Sequence, residues 1–187
     1  MERRKVILVT DGDAVARSAV ELATSNIGGR CITASSGNPT VLSGTEIVNL
    51  IKIAPHDPVV VMVDDQGAKG KGNGELAMET IINDDSIDVL GVVAVSSNGK
   101  DCKGIPITCS ITKEGKVIES GVDKYGDDIH GAKICGDTLS ILKDVKDMVI
   151  VGIGDPGKMD QKDEITKGSP ITTMALQEIL KRKFIVH

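Results

Sequence analysis

Short runs of branched aliphatic residues alternate with stretches of helical spacing through the first half of this chain, and few architectures accept that pattern. Lys5–Thr10 reads as a strand. A helix over about 14–26 follows, with Val15, Ala19, Leu22, Ala23 and Ile27 on one face. Gly28-Gly29 stops it, because glycine accepts the left-handed conformation of a helix end. A short strand over Arg30–Ala34 leads to the loop 35–40. Ser43-Gly44-Thr45-Glu46 then forms a capping box, in which serine and glutamate satisfy each other's free amides. The helix it opens buries Ile47, Leu50, Ile51 and Ala54 and ends at Pro55. Strand Val59–Val63, the glycine-rich loop Gly67–Gly74, a helix over 75–83 and strand Val89–Val95 complete the series. With one Tyr, one Phe and no Trp, the core must be built from Val, Ile, Leu and Ala, as in parallel strands buried on both faces.

The second half is less regular. Ile107–Thr112 and Lys116–Glu119 flank Glu114-Gly115 and read as a hairpin. A polar stretch over 121–136 follows, and Asp137 is expected to cap a short helix carrying Leu139, Leu142 and Val145. After strand Met148–Ile153 and loop 154–168, Ser169-Pro170 opens the last helix, with serine as cap and proline in the first turn. Alternating strands and helices imply right-handed crossovers. The expected fold is a three-layer αβα sandwich with a mostly parallel sheet, Rossmann-like or Toprim-like. It forms one domain over 1–187, with a β-hairpin addition at about 105–136.

Composition narrows the function. Of the 187 residues 40% are hydrophobic, which fits a globular domain and not a disordered chain. A net charge of −5 and the scarcity of aromatics argue against nucleic-acid binding. No apolar run approaches the roughly 20 residues that span a bilayer, and Val6–Val9 is too short for a signal-peptide core, so a cytosolic location is expected. The cysteines, Cys31, Cys102, Cys109 and Cys135, lack metal-site spacing and are expected to be reduced, packed thiols.

The unusual chemistry lies where strands end. The exits read Thr10-Asp11-Gly12-Asp13, Asp64-Asp65-Gln66-Gly67 and Gly152-Ile153-Gly154-Asp155. A parallel sheet places its ligand crevice outside these ends. Asp11, Asp13, Asp64 and Asp155 are therefore candidate oxygen ligands for calcium or magnesium. Asp65, Gly67, Lys69 and Lys158 are added as candidate ligand-binding residues, the loop 67–74 being a candidate anion nest with Lys69 and Lys71. The competing expectation is that such acids only turn the chain or cap the next helix.

Three enzyme motifs are incomplete. Gly152–Lys158 fits G-x-x-x-x-G-K, but Met159 stands where a phosphate loop needs Ser or Thr. Asp11-Gly12-Asp13-Ala14-Val15 resembles the D-x-D-x-[TV] of haloacid-dehalogenase-type phosphatases. There the first aspartate is the nucleophile and the second a general acid, with magnesium as cofactor, but the helix here begins too early for that family's flap. Asp11 with Asp64-Asp65 resembles the Toprim acids, though adjacent strand residues point to opposite faces. No catalytic residue is assigned, and the enzyme alternative is a Mg-dependent phosphatase using Asp11 and Asp13.

A broader likeness covers nearly the whole chain. Lys5–Asp13, Asn26–Ile32, Gly37-Asn38-Pro39-Thr40, Val63-Asp64-Asp65, Gly70–Glu75, Gly121–Lys124, Val151–Asp155, Gly157–Asp160 and Pro170–Thr173 resemble, in order, the stage V sporulation protein AE family, the soluble branch of the bacterial SpoVA group. The resemblance implies a non-enzymatic accessory of the channel that moves calcium-dipicolinic acid into spores and out at germination. It implies partners among the other SpoVA-group proteins and a peripheral place on the spore inner membrane, on the cytoplasmic side. It supplies no catalytic residues. Calcium-dipicolinate at the acidic exits is a joint expectation of the residues and the resemblance, a protein partner of the channel being the other candidate occupant. An edge hairpin is compatible with a homodimer, though no residue requires one.

Overall fold

The computed structural model describes residues 2–67, 71–97 and 102–185. The elements run β1 (Arg4–Val9), α1 (Ala14–Asn26), β2 (Arg30–Cys31), α2 (Gly44–Ile53), β3 (Val59–Met62), α3 (Asn73–Ile82) and β4 (Ile87–Val95). They continue with β5 (Ile105–Pro106), β6 (Cys109–Ile111), β7 (Val117–Ile118), β8 (Lys133–Ile134), β9 (Val149–Ile153) and α4 (Pro170–Ile185). The main sheet has seven strands in the order β2-β3-β1-β4-β9-β6-β7. Every pairing in it is parallel except that of β6 with β7. β5 and β8 form a separate two-stranded antiparallel sheet. The expected α/β fold with a mostly parallel sheet and an added hairpin is what the chain adopts.

The strands are apolar throughout because both faces are covered. In β1, Val6 and Leu8 pack with Ile47, Ile51, Met78 and Ile81 of α2 and α3. Ile7 and Val9 pack on the other face with Val20 and Ala23 of α1 and with Leu176 and Ile179 of α4. This is the period-two alternation of strand side chains serving two cores at once. Burying an aliphatic side chain of this size is worth about 1.5–3 kcal/mol, so these layers dominate the fold's stability.

Connections from β1 and β3 leave on opposite faces, into α1 and α3. The strands are neighbours, and the rule for open parallel sheets makes the crevice between their exits the expected ligand position. Segment 36–40 partly fills it: Gly37 N donates to the Gly12 carbonyl at 2.8 Å, and Thr40 N to the Asp64 carbonyl at 2.9 Å.

Several expected boundaries change. β2 is two residues long, and Thr33–Ser35 form a 3-10 turn in place of a longer strand. Ser35 Oγ is spent on the Ile32 carbonyl while accepting Met62 N, so the segment docks on β3 through a side chain. The expected helix after Asp137 is a 3-10 turn over Ser140–Asp144 preceded by Leu139, and Asp137 does not cap it. The capping box of Ser43 with Glu46 and the hairpin turn at Gly115 are present as read.

Candidate functional site

Asp11 stands just beyond β1 and is buried, with its Oδ1 accepting Asp13 N at 3.3 Å. Burial raises its pKa to about 7. The Asp13, Asp64 and Asp155 charges push the same way, partly opposed by the Asp13 amide. Desolvation is the main reason this carboxyl holds its proton near neutrality, with the neighbouring acids adding to it. Asp13 is the N-cap of α1, taking both Val15 N and Ala16 N on Oδ1 at 2.9 Å.

Asp64 and Asp65 follow β3 and diverge, as successive residues of extended chain must. Asp64 faces the crevice, accepting Gly12 N on Oδ2 at 3.3 Å and Gln66 N on Oδ1 at 2.8 Å. Burial raises its pKa, the Gln66 and Gly12 amides oppose that, and Asp137 and Asp13 add to it. Asp65 turns to α3. Its Oδ1 takes Gly74 N at 2.6 Å, and Glu75 N reaches Oδ2 at 3.2 Å. It is the remote cap of a helix whose local cap, Gly72, has no side chain to offer. Gly74 permits this approach, since a Cβ there would lie 2.6 Å from Asp64 N.

Asp155 leaves β9, accepts Gly157 N at 2.9 Å and pairs with Lys158 Nζ. Lys158 has a raised pKa, first from the hydrogen bond to Asp155 and then from its charge and those of Asp11 and Asp13, against some desolvation. Lys158 therefore lies within electrostatic reach of Asp11 and Asp13. It does so as the partner of an acid and not as part of a phosphate loop, because Met159 after it is fully buried and no α-helix begins there. Gly67 lies at φ +67, where a Cβ would meet Asp137 Oδ2 at 3.5 Å. Lys69 lies outside the described residues. Lys71 is paired with Glu79 at 2.6 Å and belongs to the surface of α3.

The charges of Asp13, Asp64 and Asp155 act on Asp11, and those of Asp11 and Asp13 act on Lys158, while Asp65 caps α3. Among the described residues, no three carboxylate, imidazole or thiol groups are arranged to hold a metal ion.

Comparison with protein families gives one match. The profile of Stage V sporulation protein AE1 (SpoVAE) covers residues 5–183. The chain belongs to the SpoVAE family. It is a sporulation protein by that membership. No curated protein and no solved structure matches it. Among the described residues, no helix of this SpoVAE-family chain is long and apolar enough to cross a membrane.

Three further acids, one of them acting on Asp64, escape the reading of strand exits. Asp137 exchanges hydrogen bonds with Ser97, Oγ to Oδ1 and backbone N to Oγ, each at 3.1 Å, and its charge acts on Asp64. Its signal is weak: the two-residue strand Lys133–Ile134 runs through Cys135 into Gly136-Asp137, a strand followed by glycine and acid. Glu75 is buried, with Oε1 accepting Ser140 N at 2.6 Å while Oε2 has no partner among the described residues. Asp163, also buried, accepts Ile171 N at 2.7 Å and Thr172 N at 3.0 Å on Oδ1 and so caps α4. Ser169, the expected cap, has φ +47 and a buried hydroxyl with no partner.

Proposed function

We propose that this chain acts in sporulation as a non-enzymatic accessory of the SpoVA channel, peripheral to the spore inner membrane on its cytoplasmic side. In this reading its acidic strand-exit crevice meets the calcium-dipicolinic acid that the channel moves. The observation that carries the sporulation role is the SpoVAE profile over residues 5–183. What supports the ligand is the mutual influence of the Asp11, Asp13, Asp64 and Asp155 charges beyond the carboxyl ends of β1, β3 and β9, of which β1 and β3 are neighbours and β9 lies across β4. A calcium ion takes carboxylate and carbonyl oxygens in a flexible shell. Asp155 would release Lys158 to join it, and the freed ammonium would face a dicarboxylate.

The phosphatase alternative has weaker support. A nucleophilic Asp11 must be ionised, whereas its carboxyl retains a proton up to about pH 7. The general acid in that chemistry would be Asp13, whose Oδ1 is committed to the first turn of α1.

Calorimetric titration of the full chain with calcium, with dipicolinate and with both tests the reading. Saturable heat with calcium and dipicolinate together, accompanied by proton release at pH 7 as Asp11 ionises, is the expected result. Silence in all three arms would remove the small ligand and leave a channel protein as the occupant. Magnesium-dependent hydrolysis of a phosphomonoester, lost in Asp11→Asn, would replace the accessory reading with an enzyme.

A further inference from the structure

The small β5–β8 sheet carries two thiols at one end. Ile105 pairs with Ile134 and Pro106 with Lys133, which sets Cys135 beside Gly104. Gly104 turns the chain at φ +64, and its amide donates to Cys102 Sγ at 3.1 Å. The turn carries Cys102 back over its neighbour, so that the Cys135 thiol donates to the Cys102 carbonyl oxygen at 3.5 Å. Cys102 is exposed and Cys135 half-buried, against the expectation that every thiol is packed away. The Cys135 pKa is pushed up to about 11, first by burial and then by the hydrogen bond its thiol donates to Cys102 and by the Cys102 charge. Cys31 sits on the distant edge strand β2, and Cys109 is fully buried in β6.

We propose that Cys102 and Cys135 are a redox-modification site, closing to a reversible disulfide that fastens one wall of the acidic crevice. The oxidant is a hydroperoxide. The Cys102 thiolate attacks a peroxide oxygen, an S–O bond forms, the O–O bond breaks, and the departing hydroxide takes a proton to leave as water. Cys135, its proton lost to solvent, attacks the sulfenic sulfur. The S–S bond forms, the S–O bond breaks and a second water leaves. Two thiols have lost two electrons and the peroxide has gained them; an added dithiol reverses the change by exchange. Cys102 reacts first because it is exposed, and the half-buried Cys135, within reach of it, attacks second.

The position gives the bond a consequence. The Cys135 carbonyl accepts Ser97 N at 2.9 Å, directly beyond β4, and Ser97 is tied in turn to Asp137, whose charge acts on Asp64. A crosslink at Cys135 therefore restrains the segment that presents Asp137. This inference is independent of what the crevice binds.

The test is oxidation of the full chain with a small excess of hydrogen peroxide, followed by alkylation and tryptic mapping. Free thiols are expected to fall from four to two. Peptide 101–103 is expected joined to peptide 134–143, and dithiothreitol is expected to separate them. Cys102→Ser and Cys135→Ser should each abolish the link, and the double variant Cys31→Ser/Cys109→Ser should keep it. Hydrogen exchange at the Ser97 and Asp137 amides should slow roughly threefold or more on oxidation. Links to Cys31 or Cys109, dimers joined through Cys102, or sulfinic acid at Cys102 beside an intact Cys135 thiol would each overturn the pairing. Unchanged exchange in the linked protein would overturn the restraint.

Discussion

The Gly12 amide donates to Asp64 Oδ2 at 3.3 Å across the junction of β1 and β3. That bond ties two of the acidic exits together. A Cβ on Gly12 would stand 2.5 Å from the Gly37 carbonyl oxygen and 3.4 Å from Asp64 Cβ. The first contact is with backbone, which cannot rotate away. Gly12→Ala is therefore expected to destabilise the chain by about 1–3 kcal/mol, the usual cost of overpacking a filled site. The urea midpoint should fall without a change in slope. An unchanged midpoint would mean that segment 36–40 moves aside freely.

Two helices depend on acids far outside their own first turns. Asp65 caps α3 from the β3 exit, and Asp163 caps α4 from the preceding loop. Asp65→Ala and Asp163→Ala should each cost about 1–2 kcal/mol, at the upper end for caps because the amides left behind are buried. Urea unfolding measures the loss. Asp65→Ala should leave any calcium titration unchanged, since Asp65 faces the helix and not the crevice. A weakened titration in a folded Asp65→Ala protein would return that residue to the ligand set.

Asp11 makes stability depend on pH in a direction opposite to an ordinary salt-bridged acid. Its folded pKa, about 7, lies above the model-compound value of 3.8. Between those values the folded state binds a proton that the unfolded chain does not. The contribution is therefore fully present below about pH 4 and is lost as pH rises toward 7. Asp11→Asn removes the titrating group. Relative to the parent, the variant should gain on the order of 2 kcal/mol at pH 8, and the gain should shrink steadily on acidification toward pH 4.5. Paired urea curves at three pH values read the difference. A gain independent of pH would place the cause in packing rather than ionisation.

The layers of this fold were legible because its strands are branched aliphatic and its helices carry caps and stops. Val6 to Val9 can only be a strand buried on two sides, and Ser43 with Glu46 marks the start of α2 to the residue. The acidic exits were legible for the same reason, since a strand's end is where its apolar run stops. What remained hidden depended on long-range partners. Asp163 lies inside a polar loop, and nothing local distinguishes a buried cap from a solvated acid. Asp65 and Asp64 are chemically identical neighbours, and only the side on which α3 packs tells them apart. Asp137 reads as a cap because a helix-like apolar spacing follows it, whereas Ser97, forty residues earlier in sequence, holds it in place.

In the proposed reading Lys158 competes with the calcium ion. It pairs with Asp155 and senses Asp11 and Asp13, so a cation entering the site must displace it. Lys158→Met removes that competitor and leaves Asp155 free to coordinate. The pair is half-exposed, so the stability cost should stay within about 1 kcal/mol. Calcium alone should then bind several-fold more tightly than to the parent, with a steeper salt dependence, because an added net negative charge attracts cations over a Debye length of about 10 Å at 0.1 M ionic strength. Dipicolinate should show the reverse, weakening if the lysine contacts its carboxylates. Calorimetry of the two ligands on parent and variant gives both signs. Tighter calcium with weaker dipicolinate supports a calcium-bridged dicarboxylate; no change in either would place the ligand, if one binds, away from the strand exits.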